Sequence, residues 1–230
     1  MFNRLIATAS AVLLAAFASP CIAQTAPNDE ELKSYRGLHA AAAGGDLAAI
    51  RRLAGGADLN ARDGLGRTPL MVAAHRRDLA AARALIEAGA DVNALDSQRY
   101  DVVTIASVND DLALLRLAIA SAANTRLVTS PYDGTALIAA AHLGHVEVVR
   151  TLIAAKAPLD HVNNLGWTAL IEAIVLGDGG PRHVACVRAL VDAGANVDIA
   201  DSSGVRPLSL ARGRDYGEIE RILEKARARP

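Results

Sequence analysis

The 230-residue chain has few aromatic residues, 3% of the total, and only two cysteines, two methionines and one tryptophan. It also lacks an excess of charge of either sign, with 24 Lys and Arg against 25 Asp and Glu. A nucleic-acid footprint needs a clustered basic surface, so this balance argues against a DNA or RNA partner. The cysteines are too sparse for a disulfide framework. Catalytic patterns are missing as well: there is no Ser/His/Asp order, no pair of acids in separated environments and no phosphate-binding strand–loop–helix motif. No cofactor or metal is expected. His142 and His145 stand three residues apart in a helical segment, but Glu147 shares no obvious face with them.

The N-terminus carries one of the few long apolar runs. Residues 1–23 have a single charge at Arg4, an apolar stretch from Leu5 to Phe17, and small residues leading to Cys21-Ile22-Ala23. This is the pattern of a secretory signal peptide, too short and wrongly flanked for a membrane span. Cleavage is expected after Ala23, and Pro20 argues against the alternative, lipidation at Cys21. The expected address is the periplasm. The mature chain keeps only Cys186, which reads as a small buried hydrophobe. Residues 24–34 then form a linker with three consecutive acids, Asp29, Glu30 and Glu31, ending in a short helix.

From Tyr35 onward the chain repeats itself. Arg67-Thr68-Pro69-Leu70, Gly134-Thr135-Ala136-Leu137, Trp167-Thr168-Ala169-Leu170 and Val205-Arg206-Pro207-Leu208 open helical segments, and Gly56-Ala57-Asp58-Leu59-Asn60, Gly89-Ala90-Asp91-Val92-Asn93 and Gly194-Ala195-Asn196-Val197-Asp198 close them. The opening positions Leu38, Leu70, Val103, Leu137, Leu170 and Leu208 are separated by 32, 33, 34, 33 and 38 residues. A period near 33 with Thr-Pro-Leu at the head of a helix pair resembles the ankyrin-repeat family. The resemblance implies an all-α solenoid of about six stacked helix pairs with hairpin-like loops, here 35–62, 63–95, 96–129, 130–162, 163–200 and 201–230. It also implies binding of other macromolecules rather than catalysis. The stretch from His161 to Ala173, continuing to His183, resembles a subgroup of exported bacterial ankyrin-repeat proteins. Abundant alanine suits helices that pack through small side chains, and Ile219, Ile222 and Leu223 give the last helix one apolar face beneath a charged cap.

Two units depart from the pattern. In the third, Asp101-Val102-Val103-Thr104 replaces Thr-Pro-Leu-His, and Arg99 stands where other units have Gly66, Gly166 or Gly204. That glycine is expected to supply a positive φ, which a residue with a Cβ adopts at a cost of about 1 kcal/mol or more. In the fifth, Leu170 to Gly194 spans 24 residues where Leu70 to Gly89 spans 19, so five residues are added within Gly177-Asp178-Gly179-Gly180-Pro181-Arg182-His183.

The family resemblance implies that partners meet the loop tips and the exposed side of the first helices. In the second unit these positions are Leu65, Arg67, His75 and Arg76. Carried to the third to fifth units, they place Tyr100, Tyr132, His142, Leu143, Leu165 and Trp167 in a concave groove for an extracytoplasmic protein or peptide. Trp and Tyr are enriched at binding hot spots, and an apolar strip with polar neighbours marks a contact site. Trp167 has a structural alternative, packing against the inserted loop. A different function is a small-ligand or anion sensor built on the glycines of that loop with Glu172, Asp178, Arg182 and His183. The mature protein is expected to be a monomer.

Overall fold

The computed structural model describes residues 24–228. The signal-peptide segment, residues 1–23, lies outside them. Every named element among the described residues is a helix. After a short α1 (Asp29–Ser34) come six pairs: α2 (Gly37–Gly44) with α3 (Leu47–Ala54), α4 (Pro69–His75) with α5 (Leu79–Glu87), α6 (Val102–Val108) with α7 (Leu112–Ala120), α8 (Ala136–His142) with α9 (Val146–Ala154), α10 (Ala169–Val175) with α11 (Pro181–Asp192), and α12 (Pro207–Arg212) with α13 (Gly217–Arg227). First helices pack on first helices and second on second from one pair to the next. The core is one continuous cluster, running from Leu38 through Leu70, Leu137 and Leu170 to Leu223.

The opening motif works through its cap. Thr68, Thr135 and Thr168 each accept the backbone N–H of the residue three positions on, and Asp101 does the same for Thr104 in the divergent third unit. Such a cap stabilises a helix by about 1 kcal/mol. Asp46, Asp78 and Asp111 cap the second helices of the first three units. His39 and His145 act structurally, bonding the carbonyls of Arg67 and Ser107 at 2.9 and 2.8 Å. Cys186 is fully buried, and burial pushes its thiol up to about 11.

Each loop tip is organised by one polar side chain. Oδ1 of Asp63 accepts from the N–H groups of Leu65 and Arg67, and Asp96, Asn163 and Asp201 repeat this arrangement in their own units. In the fourth unit the Ser130 hydroxyl substitutes, accepting from Tyr132 and Gly134. Successive tips are tied together: Ser97 N–H donates to the Leu65 carbonyl and Asn164 N–H to the Tyr132 carbonyl. Pro131 has no N–H to offer at the matching place. Ser130 donates instead, to the Arg99 carbonyl at 3.3 Å, and the fourth tip closes one residue wider through a Thr129–Gly134 bridge. Arg99 takes φ 67°, the left-handed backbone that Gly66 and Gly166 adopt in their units.

The segment expected as a linker, residues 24–34, is tied to the tip of the second unit. Gln24 is buried, the Thr25 carbonyl accepts from Arg67 Nη1 at 2.8 Å, and Glu31 pairs with Arg67 Nη2 at 2.7 Å. Only its final part, α1, has the expected form, with Asn28 and Glu31 closing a capping box.

Candidate binding surface

The side of the stack formed by loop tips and first helices carries the candidate residues, but not all are available. Tyr100 is 4% exposed and Arg67 1%, so neither offers the contact surface expected of it. Arg67 is instead a clamp: Nε pairs with Asp63 at 2.7 Å, and Asp63 also accepts the Tyr35 hydroxyl at 2.6 Å. Burial alone would raise the Asp63 carboxyl, but the Tyr35 and Arg67 hydrogen bonds outweigh it and hold the group below its usual range. His75 is partly buried, and desolvation with the nearby Arg67 charge lowers it to about 4.

The fourth and fifth units keep an apolar surface. Leu143 is 36% exposed, Leu165 42% and Leu176 45%, and Tyr132 and Trp167 are half-buried. The Asn163 side chain, which holds the backbone N–H groups of Leu165 and Trp167 through Oδ1, donates from Nδ2 to Glu172 Oε1 at 3.0 Å. His142 Nδ1 stands 3.4 Å from Glu172 Oε2. The loop tip, α8 and α10 therefore meet at one buried carboxylate. Burial raises Glu172 to about 7, against the lowering effect of Asn163, while burial and the neighbouring His183 lower His142.

In the inserted loop, a side chain of the loop itself stands where an anion was expected. Asp178 Oδ1 accepts the Gly180 N–H at 2.8 Å and faces His183 Nδ1 at 2.8 Å, so the loop supplies its own carboxylate. Arg182 Nε donates to the Gly144 carbonyl, and His183 Nε2 bonds the His142 carbonyl at 2.9 Å. Glu172 belongs to the α10 site and makes none of these contacts. The Tyr216 hydroxyl reaches back from the last unit to the Gly177 carbonyl at 2.9 Å. A Cβ at Gly177 would collide with the Ala173 carbonyl oxygen and the His183 ring. Gly177→Ala should therefore destabilise the protein by about 1–3 kcal/mol, read as a lowered urea midpoint. An unchanged midpoint would show that the loop relaxes freely.

Leu65, Leu143 and Leu165 were legible as exposed positions, whereas the organising role of Asn163 was missed. The signal was there: Asp63, Asp96, Ser130, Asn163 and Asp201 recur as short polar residues at one place in the repeat. Such residues bond backbone N–H groups two positions on and set the turn.

Stacked helix pairs, capped by Thr and joined by Asx-centred tips, define a repeat scaffold whose business is binding. The chain belongs to the ankyrin repeat family: three copies of the family's ankyrin-repeat model match residues 13–96, 38–126 and 103–201. It is similar to the ankyrin repeat protein YahD of Escherichia coli (strain K12), 38% identical over 190 residues, which cover 82% of this chain and 94% of that protein. A crystal structure of an ankyrin repeat domain from Acinetobacter baumannii AYE superposes with TM-score 0.79 at 47% identity, covering 84% of this chain and 98% of that one. A chain in the complex of a Bdellovibrio bacteriovorus predatory endopeptidase with its immunity protein gives TM-score 0.70 at 26% identity, covering 84% of this chain and 98% of that one. No helix among the described residues is long and apolar enough to cross a membrane.

Proposed function

We propose that this chain is a non-catalytic protein-binding module of the periplasm, a monomer that binds an extracytoplasmic protein through the concave side of its third to fifth units and so stabilises or inhibits it. The observation that carries the binding surface is the exposure of Leu143, Leu165 and Leu176 in the fourth and fifth units. Burial of Tyr100 shifts the weight of that surface to the fourth and fifth units. The periplasmic address rests on the secretory pattern of residues 1–23. Similarity to a chain in an endopeptidase–immunity protein complex supports a proteinaceous partner and an inhibitory mode.

The test is affinity capture from a periplasmic extract of the native host with residues 24–230, in parallel with Trp167→Ala. A protein retained by the parent and weakened at least about tenfold by the folded variant is the expected result, because truncating an interface Trp removes on the order of 2 kcal/mol or more. Equal retention by both would overturn the assignment of this surface.

A further inference from the structure

Glu172 is a buried acid on this surface at a helix position that other units fill with apolar residues. Four residues after the cap, the second, third and fourth units place Val72, Ile105 and Ala139, and the fifth places an acid that is 5% exposed. Its Oε1 accepts the Asn163 amide at 3.0 Å, whereas Oε2 has only His142 Nδ1 at 3.4 Å. No Lys or Arg among the described residues pairs with it. The charged and titratable groups on the elements packed against α10 are otherwise committed. His183 of α11 lies between Asp178 and the His142 carbonyl, Arg182 is bonded to Gly144, and Arg212 of α12 pairs with Glu220 and Glu224. A carboxylate in apolar surroundings is costly to ionise without a cation nearby. The His142 ring beside the less fully bonded oxygen is partly exposed, while Glu172 itself is buried.

Apolar groups flank the acid on two sides. Val175, the last residue of α10, and Leu176, its C-cap, follow Glu172 at i+3 and i+4, one turn on from it, and Leu143 follows His142 directly. On the other side, Leu165 and Trp167 sit in the tip that Asn163 holds. We propose that this surface takes a protein segment presenting one Lys or Arg between two apolar side chains. The cation pairs with Glu172 Oε2, and the apolar groups rest on Leu165–Trp167 and on Leu143–Leu176. This rests on the reading of the surface as a protein-binding one and names the chemistry that it selects. The pairing gives specificity because a partner without the cation must bury an uncompensated acid.

The probe is an array of synthetic peptides of about twelve residues, with a central Arg flanked by Leu or Phe at varied spacing. A matched array carries citrulline, equal in shape but uncharged. Binding is read from Trp167 fluorescence, the chain's single tryptophan. The expected result is a preference of about tenfold or more for Arg that disappears in Glu172→Gln, with Leu143→Ser and Leu176→Ser weakening both arrays. Thermal melts confirm that the variants are folded. Binding without an Arg preference, or a preference that survives Glu172→Gln, overturns this inference while leaving the protein-binding reading intact. Failure of every peptide to bind also overturns it, and the capture experiment with Trp167→Ala then decides the broader reading on its own.

Discussion

Arg67→Ala is expected to destabilise the protein by about 3–5 kcal/mol, the range for breaking a buried ion pair from one side. The guanidinium is almost wholly buried and has three anchors: Asp63, Glu31 and the Thr25 carbonyl. Removing it leaves the buried Asp63 carboxylate next to the Tyr35 hydroxyl with no cation, and frees residues 24–31 from the first two units. Equilibrium unfolding in urea measures the loss. A second variant, Arg67→Met with Asp63→Asn, keeps the tip's backbone acceptor and removes the orphan charge, so it should recover part of the loss. A single variant within about 0.5 kcal/mol of the parent, the usual range for surface substitutions, would show that the clamp contributes nothing.

Glu172→Gln is expected to stabilise the protein at pH 8 by about 2–3 kcal/mol and to leave it nearly unchanged at pH 4. The folded-state value of about 7 lies above the ordinary 4.5, so the folded chain holds its proton more tightly than the unfolded one. Stability from this group is therefore complete below the unfolded value and is lost as pH rises from 4.5 through 7. At about 1.4 kcal/mol per unit, the whole shift is worth about 3 kcal/mol. His142 works with the opposite sign, because a lowered histidine costs stability as pH falls toward its folded value, and a His142→Gln control separates the two. Parallel pH profiles for parent and Glu172→Gln between pH 4 and 8 would refute the prediction. Together with the peptide array, this variant should stand out as more stable at pH 8 and poorer at binding.

The fold was legible because stacking writes the same demands into the chain about every 33 residues. Thr caps, alternating helix faces and closing Gly-Ala-Asp segments need no tertiary information. The positive φ at Arg99 could be read the same way, by comparing it with Gly66 and Gly166. The clamp at Arg67 was not legible. Its partners Thr25 and Glu31 precede the first unit, so no repeat column points to them. Tyr100 was misplaced because an aromatic residue at a loop tip reads as exposed when only its own unit is considered. Glu172 was noticed but assigned to the wrong neighbours. It was grouped with the loop that follows α10, whereas its bonds run to Asn163, nine residues earlier, and to His142 on the preceding first helix.

Pro131 limits how far these units can be exchanged as building blocks. A shuffled or consensus array assumes that every unit offers its neighbour the same hydrogen-bonding edge. Here the fourth unit receives its neighbour one residue out of step, through Ser130 and the Arg99 carbonyl, and the wider Thr129–Gly134 closure absorbs the slip. The third and fourth units are a matched pair. A designer who transplants either into another solenoid has to carry both, or restore an N–H at position 131 together with the tighter turn that goes with it.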